Sequence, residues 1–313
     1  MTKFNKILVS LFAAQILLAG SLYLGSRPPA ADSLQTALLS ADKTQINRIT
    51  IENGDGKKTV ISKVNDQWKL PDYHDLPANQ TKVSAALDKL AQTKSGWPIA
   101  TTQGSHQRFE VDENKYKTRI TLANGDDVLE KLYLGTSPGF RHLHVRKDGQ
   151  DEVYSVKLND FDYPVTDDSW LDHKLISADN DIAMVSGPDF ELSKQGDEWK
   201  TSGDNVEVVQ EEAKNLVTAL TSLNVNKAVD KELKKPDYQL KVKTADQAHE
   251  YDFYTDNNNH YVKRDDYSLA FEINKNDFEK ITGQTAVQLV KQISDEDSET
   301  VADKQDSKTG KHG

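Results

Sequence analysis

Two histidines and an arginine at alternate positions, His142, His144 and Arg146, form the grouping in this chain best suited to chemistry. On a strand, residues two apart point to the same face, so both imidazoles would stand together with the guanidinium behind them. Imidazoles at that spacing can share a metal ion, but the ion needs a third ligand. No nearby Asp or Glu lies in phase, and Asp160, Asp167 or Asp168 would reach only through the fold. No metal site is therefore expected. Extended by Phe140 and Arg141, the cluster reads as a solvated strand face, with contact to an anionic group of a partner or glycan as the functional alternative. Phe140, Arg141, His142, His144 and Arg146 are accordingly the candidate contact surface.

Other segments imitate catalytic motifs. Gly135-Thr136-Ser137-Pro138-Gly139 spells G-x-S-x-G, the nucleophile elbow of a hydrolase. That elbow needs a backbone N–H from the residue after the serine, and Pro138 has none. Residues 140–145 also alternate like a strand instead of opening a helix, so a hairpin turn is expected. Ser40-Ala41-Asp42-Lys43 and Lys308-Thr309-Gly310 echo two penicillin-binding elements, but the third, S-D-N, is missing. Asp167, Asp168, Asp172 and His173 surround Trp170. Carboxylate pairs do acid–base work only in a dry cleft; a helix start capped by Asp167 or Asp168, with Trp170 packed inward, is the simpler reading. Trp68 and Trp199, with Phe161 and Phe278, recur at corresponding places and mark a repeated core. No catalytic residue and no cofactor is expected.

Composition narrows the partners. A formal net charge of −11 excludes a nucleic-acid binder, whose ligand demands a basic face. The absence of cysteine removes disulfides, thiolate nucleophiles and cysteine metal sites together.

The elements that must position these residues repeat. Ile49-Thr50-Ile51 begins a strand, Asn53-Gly54-Asp55-Gly56 offers hairpin-turn chemistry, and Thr59-Val60-Ile61-Ser62 returns toward Trp68. Val83, Ala86, Leu87 and Leu90 then fall on one helical face. Ile182-Ala183-Met184, Phe190-Glu191-Leu192, Trp199 and the stripe Leu216, Ala219, Leu220, Leu223 repeat that order. Arg119-Ile120-Thr121-Leu122, Lys131-Leu132-Tyr133-Leu134 and His144-Val145-Arg146 correspond to Gln239-Leu240-Lys241-Val242, Tyr251-Asp252-Phe253-Tyr254 and Tyr261-Val262-Lys263. Asn159-Asp160-Phe161 corresponds to Asn276-Asp277-Phe278. The expected fold is α+β, with two related units over 45–178 and 179–293, each a β-hairpin, a helix and an antiparallel β-meander ending in a short helix.

Ahead of these units runs an uncharged apolar stretch, residues 7–25, of a length to span a bilayer as a helix. Lys3 and Lys6 would hold residues 1–6 in the cytoplasm and place the rest outside. Ser21 stands where a lipoprotein signal would need cysteine, so lipidation is excluded and an uncleaved signal anchor is expected, with a cleaved signal peptide as the alternative. Residues 26–44 read as a stalk and 294–313 as a disordered acidic tail.

Trp68 with its Pro-bearing loop and helix, Arg108-Phe109-Glu110-Val111, Tyr133-Leu134-Gly135, the segment from Arg141 to Val145, and Val153-Tyr154-Ser155-Val156 resemble the domain of unknown function 4340 family. The resemblance covers most of residues 45–290 and the anchor. It implies a single-pass bacterial inner-membrane protein with its bulk in the periplasm, associated with permease or ATPase subunits of a gliding-motility-type ABC system. It carries over no catalytic residue, and the second repeat lacks an equivalent of residues 135–139. The expected function is a noncatalytic accessory or ligand-binding subunit. The alternative is a stand-alone glycan- or peptide-binding module with a cleft lined by Tyr133, Phe140, Tyr163 or Tyr267. A periplasmic enzyme is the third class.

Overall fold

The computed structural model describes residues 36–203 and 205–292, together with Phe12, residues 14–18 and Ser21. These residues are mixed α and β, mostly antiparallel strands with few helices. They divide into two compact units between Trp170 and Leu171.

The first unit opens with β1 (Arg48–Asn53), β2 (Lys58–Val64) and β3 (Gln67–Leu70), followed by α1 (Gln80–Gln92) and β4 (Pro98–Ala100). A meander of β5 (Thr118–Asn124), β6 (Asp127–Leu134), β7 (Leu143–Lys147) and β8 (Val153–Val156) completes it. The turns follow from their residues. The Asn53 side chain accepts from the N–H groups of Asp55 and Lys57, and Asn65 and Asp66 both take the left-handed conformation that a tight hairpin needs. Across the sheet the order is β3-β2-β1-β5-β6-β7-β8-β4, with a two-residue strand, Leu76–Pro77, outside β3. At its centre Ile51 opposes Ile120 and Ile49 opposes Leu122, and all four are buried. The α1 stripe Val83, Ala86, Leu87 and Leu90 is buried as its spacing predicts, and the Asn79 side chain caps the helix by accepting from Lys82 N–H at 2.9 Å.

The second unit runs β9 (Met184–Ser186), β10 (Glu191–Gln195), β11 (Glu198–Lys200), α2 (Gln210–Thr221), β12 (Val225–Val229), β13 (Tyr238–Lys243), β14 (Ala248–Asp256), β15 (Asn259–Arg264), β16 (Ala270–Ile273) and α3 (Lys275–Thr282). Its sheet order, β11-β10-β9-β13-β14-β15-β16-β12, matches that of the first sheet strand for strand.

One device recurs that sequence reasoning missed. The first residue of α1 and of α2 is a glutamine that clamps the backbone of a buried tryptophan. Gln80 accepts from Trp68 N–H at 2.8 Å and donates to Trp68 O at 2.9 Å. Gln210 does the same to Trp199 at 2.9 and 2.7 Å. Removing either amide takes the side-chain acceptor from the tryptophan N–H, at about 1–2 kcal/mol; Trp68 O keeps the Ala78 N–H. Gln80→Ala is therefore expected to speed amide exchange around Trp68 alone, and Gln210→Ala around Trp199 alone, as read by mass spectrometry of the corresponding peptides.

Several expectations are corrected. Residues 171–178, read from sequence with the first unit, belong to the second: Val225 N–H donates to His173 O (2.8 Å), the Tyr251 hydroxyl to Ile176 O (3.0 Å) and Ser177 Oγ to Leu223 O (2.6 Å). The expected stalk ends sooner than residue 44. Thr36–Ala37 pairs with Lys94–Ser95, Leu38 and Leu39 are buried, and Glu130 accepts from the N–H groups of Ser40 and Ala41. The short helix expected at the end of each meander forms only in the second unit. The tail over 294–313 and most of the 7–25 segment lie outside the described residues. Phe12, residues 14–18 and Ser21 are helical and exposed; among the described residues no helix is long and apolar enough to cross a membrane.

Candidate functional site

Two adjoining grooves in the first unit bring together cations from three distant segments. One, of about 550 Å³, is walled by Lys89 and Gln92 near the end of α1, by Lys94 just beyond it, and by His142, Ser155 and Lys157. The other, of about 420 Å³, shares Lys89 and Lys157 and adds Arg141, Asn159 and Asp162. Four permanent cations thus face one carboxylate, the reverse of the chain's overall charge. Lys89 is ion-paired with Asp162 and sits in the last helical turn, where a cation complements the helix dipole. That structural account does not extend to the others: Lys94, Arg141 and Lys157 make no ion pair among the described residues. Next in sequence to groove-lining Gly96, Arg141 and Asp162 come Trp97, Phe140 and Phe161, respectively 72%, 84% and 82% exposed. Arg141 stacks on the Phe140 ring at 4.8 Å. It holds a φ of 56°, a left-handed conformation that bulky residues rarely adopt.

The two units differ at the segment that ends the meander. In the second unit Asn276-Asp277-Phe278 lies in α3, which packs on α2, and Phe278 is buried with its ring stacked on His260 at 4.4 Å. In the first unit Asn159-Asp160-Phe161 forms only a 3₁₀ turn (Asp160–Asp162), and Phe161 stays outside. Phe161 is therefore not the core residue expected of it, whereas Trp68, Trp199 and Phe278 are buried. The signal was legible: Pro164 follows Tyr163, disfavours helix at that residue and offers no N–H.

The expected contact surface splits. Phe140, Arg141 and His142 are exposed beside the grooves, while His144 and Arg146 are buried. The two histidines are not neighbours on one face, because β7 begins at Leu143 and His142 still belongs to the turn, its N–H donating to Gly139 O. His142 Nδ1 donates to Phe140 O, whereas His144 Nδ1 lies 2.8 Å from Thr136 Oγ1 with its ring edge-on to Phe109. Burial and the nearby positive charge of Arg108 hold the His144 pKa below its ordinary 6.5. The unfolded chain then binds this proton first, so the stability His144 contributes is complete above pH 6.5 and is lost as pH falls through the lower folded value. His144→Gln is expected to flatten that acid-side slope in an unfolding midpoint measured against pH.

The imitated motifs resolve structurally. The Ser137 hydroxyl is within 2.7 Å of the carbonyls of Gly139 and His142, and its loop joins β6 to β7. Asp167 and Asp168 begin the turn that carries Trp170 into the core of the first unit, with Asp168 accepting from the Tyr73 hydroxyl at 2.5 Å. Asp172 and His173 fall in the second unit. Tyr133 and Tyr163, expected at a cleft, are buried; burial, with Asp148 beside it, pushes the Tyr133 pKa up to about 12. Among the described residues His249, Asp265 and Asp266 are close enough to share a cation. Both Asp266 oxygens, however, already accept from Arg264, at 2.6 and 2.8 Å.

The architecture is thus that of an α+β protein of mostly antiparallel strands, with an open basic groove in its first unit and buried structural roles for His144 and Arg146. The chain belongs to the family described as Domain of unknown function (DUF4340), whose sequence model matches residues 68–243, more than half of the chain and all of the groove. No curated protein and no solved structure matches it.

Proposed function

We propose that this chain is a noncatalytic, membrane-tethered envelope protein that presents the groove of its first unit to an anionic group. In this reading residues 7–25 anchor it in a bacterial inner membrane, the bulk is periplasmic, and it serves as an accessory or ligand-binding subunit of an ABC-type system. The groove carries the reading: Lys94, Arg141 and Lys157, without carboxylate partners among the described residues, converge on it in a chain of net charge −11. The two units are related copies, as their shared strand order and paired glutamine–tryptophan clamps support. One copy ends its meander in a helix packed on α2, and the other ends it in a turn beside the basic groove. Tethering beside a partner raises effective concentration, so the groove need not bind tightly. The noncatalytic reading is supported by the engagement of Ser137 and His144 in local hydrogen bonds.

In-membrane crosslinking from position 94 or 157 of the full chain, followed by mass spectrometry, tests this. Permease or ATPase subunits joined to these positions support the accessory role. Recovery of the chain alone, from membranes holding those subunits, counts against it. Exposed Trp97 and Phe140 favour one competing reading, a glycan-binding module, which predicts crosslinks to envelope polysaccharide instead.

A further inference from the structure

We propose that the groove face of the first unit rests on an anionic phospholipid leaflet, with lipid phosphates among Lys94, Arg141 and Lys157 and Trp97 in the headgroup region. This rests on the tethered reading above and goes beyond it by naming the occupant.

Three observations converge. The first is position: Thr36–Ala37 pairs with Lys94–Ser95, so the chain arriving from the N-terminal segment joins the fold beside the groove. The ten residues 26–35 can extend no more than ~36 Å, which keeps this face close to whatever residues 7–25 occupy. The second is charge. Anionic headgroups attract Lys and Arg near the surface, and the acidic remainder of the chain is repelled, which selects this face for approach. Asp162 already pairs with Lys89 and does not oppose the other three cations.

The third is the exposed rings. Trp97 is 72% exposed, whereas Trp68, Trp170 and Trp199 are 6%, 1% and 3% exposed. Tryptophan is the side chain that favours the membrane–water interface. A free phosphate or a soluble acidic ligand would satisfy the cations but leave Trp97, Phe140 and Phe161 in water. A leaflet takes both.

The test uses the full chain reconstituted in vesicles of phosphatidylcholine with or without phosphatidylglycerol, the acyl chains brominated to quench tryptophan. Flotation with the vesicles reports the tether. With phosphatidylglycerol present, quenching is expected to be at least threefold that of Trp97→Phe, whose remaining tryptophans are buried, and to fall toward that baseline without phosphatidylglycerol. Arg141→Gly is the discriminating variant, since glycine suits the left-handed φ at 141 and the fold should persist; quenching should drop at least twofold. A chain that floats but shows no more quenching than Trp97→Phe overturns the proposal. Equal quenching in both lipid compositions overturns the requirement for anionic lipid and with it the role of the groove. A chain that fails to float overturns the tethered reading and this inference together.

Discussion

Gly135→Ala is expected to cost the first unit about 4 kcal/mol or more. A Cβ at that position would lie 1.9 Å from Phe109 O and 2.7 Å from Glu110 O, both backbone atoms that cannot swing aside. The same contact line carries two strand-like bonds, Gly135 N–H to His144 O and Thr136 N–H to Phe109 O, each 2.9 Å. Relieving the clash would break them. Gly139 belongs to the same five-residue string but meets nothing within 4 Å, so Gly139→Ala should stay within about 0.5 kcal/mol. Urea unfolding of the solubilised full chain, followed by tryptophan fluorescence, distinguishes the pair. Equal effects would mean that the close approach at 135 does not exist.

Arg146→Met is expected to destabilise the same unit by about 3–5 kcal/mol. The guanidinium is 3% exposed and bonds three backbone carbonyls: Val111 O at 2.7 Å, Gln150 O at 3.1 Å and Lys147 O at 3.3 Å. Its other support is the Tyr133 ring, 4.5 Å from Cζ. Tyr133 lies directly opposite on β6. Methionine fills the space but strips the Val111 and Gln150 carbonyls of this charged donor, while Lys147 O keeps the Gln150 N–H. Arg146→Lys should recover little, because an ammonium cannot reproduce a planar fork that reaches several carbonyls at once. If the methionine variant unfolds with the wild-type midpoint, Arg146 is not a structural cation, and its place in the contact surface reopens.

What the sequence made legible was local. The helical stripes at Val83–Leu90 and Leu216–Leu220 needed only a 3.6-residue period, although Leu223, expected on the second, falls just past the end of α2; the hairpin at Asn53 needed only turn chemistry. His142 and His144 failed as a pair because alternation holds only inside a strand, and the strand starts between them. Phe161 failed because a shared Asn-Asp-Phe motif was weighed without the proline three residues later. The groove had no local signature at all. Lys89, Lys94 and Lys157 meet through the pairing of β8 with β4 and the packing of α1, and that proximity is a property of topology.

The central place of β1 also sets a timetable. Asn53 pairs with Thr118, so β1 and β5 are neighbours in the sheet and far apart in the chain. At ribosomal rates of ~5–20 residues per second, β1 is made roughly 4–15 s before the end of its partner strand. Until then it has β2 on one side only, and its other edge is unpaired. Ile49, Ile51 and Ile61 therefore pass through synthesis as an unprotected edge, and this hairpin is where premature association between chains would begin.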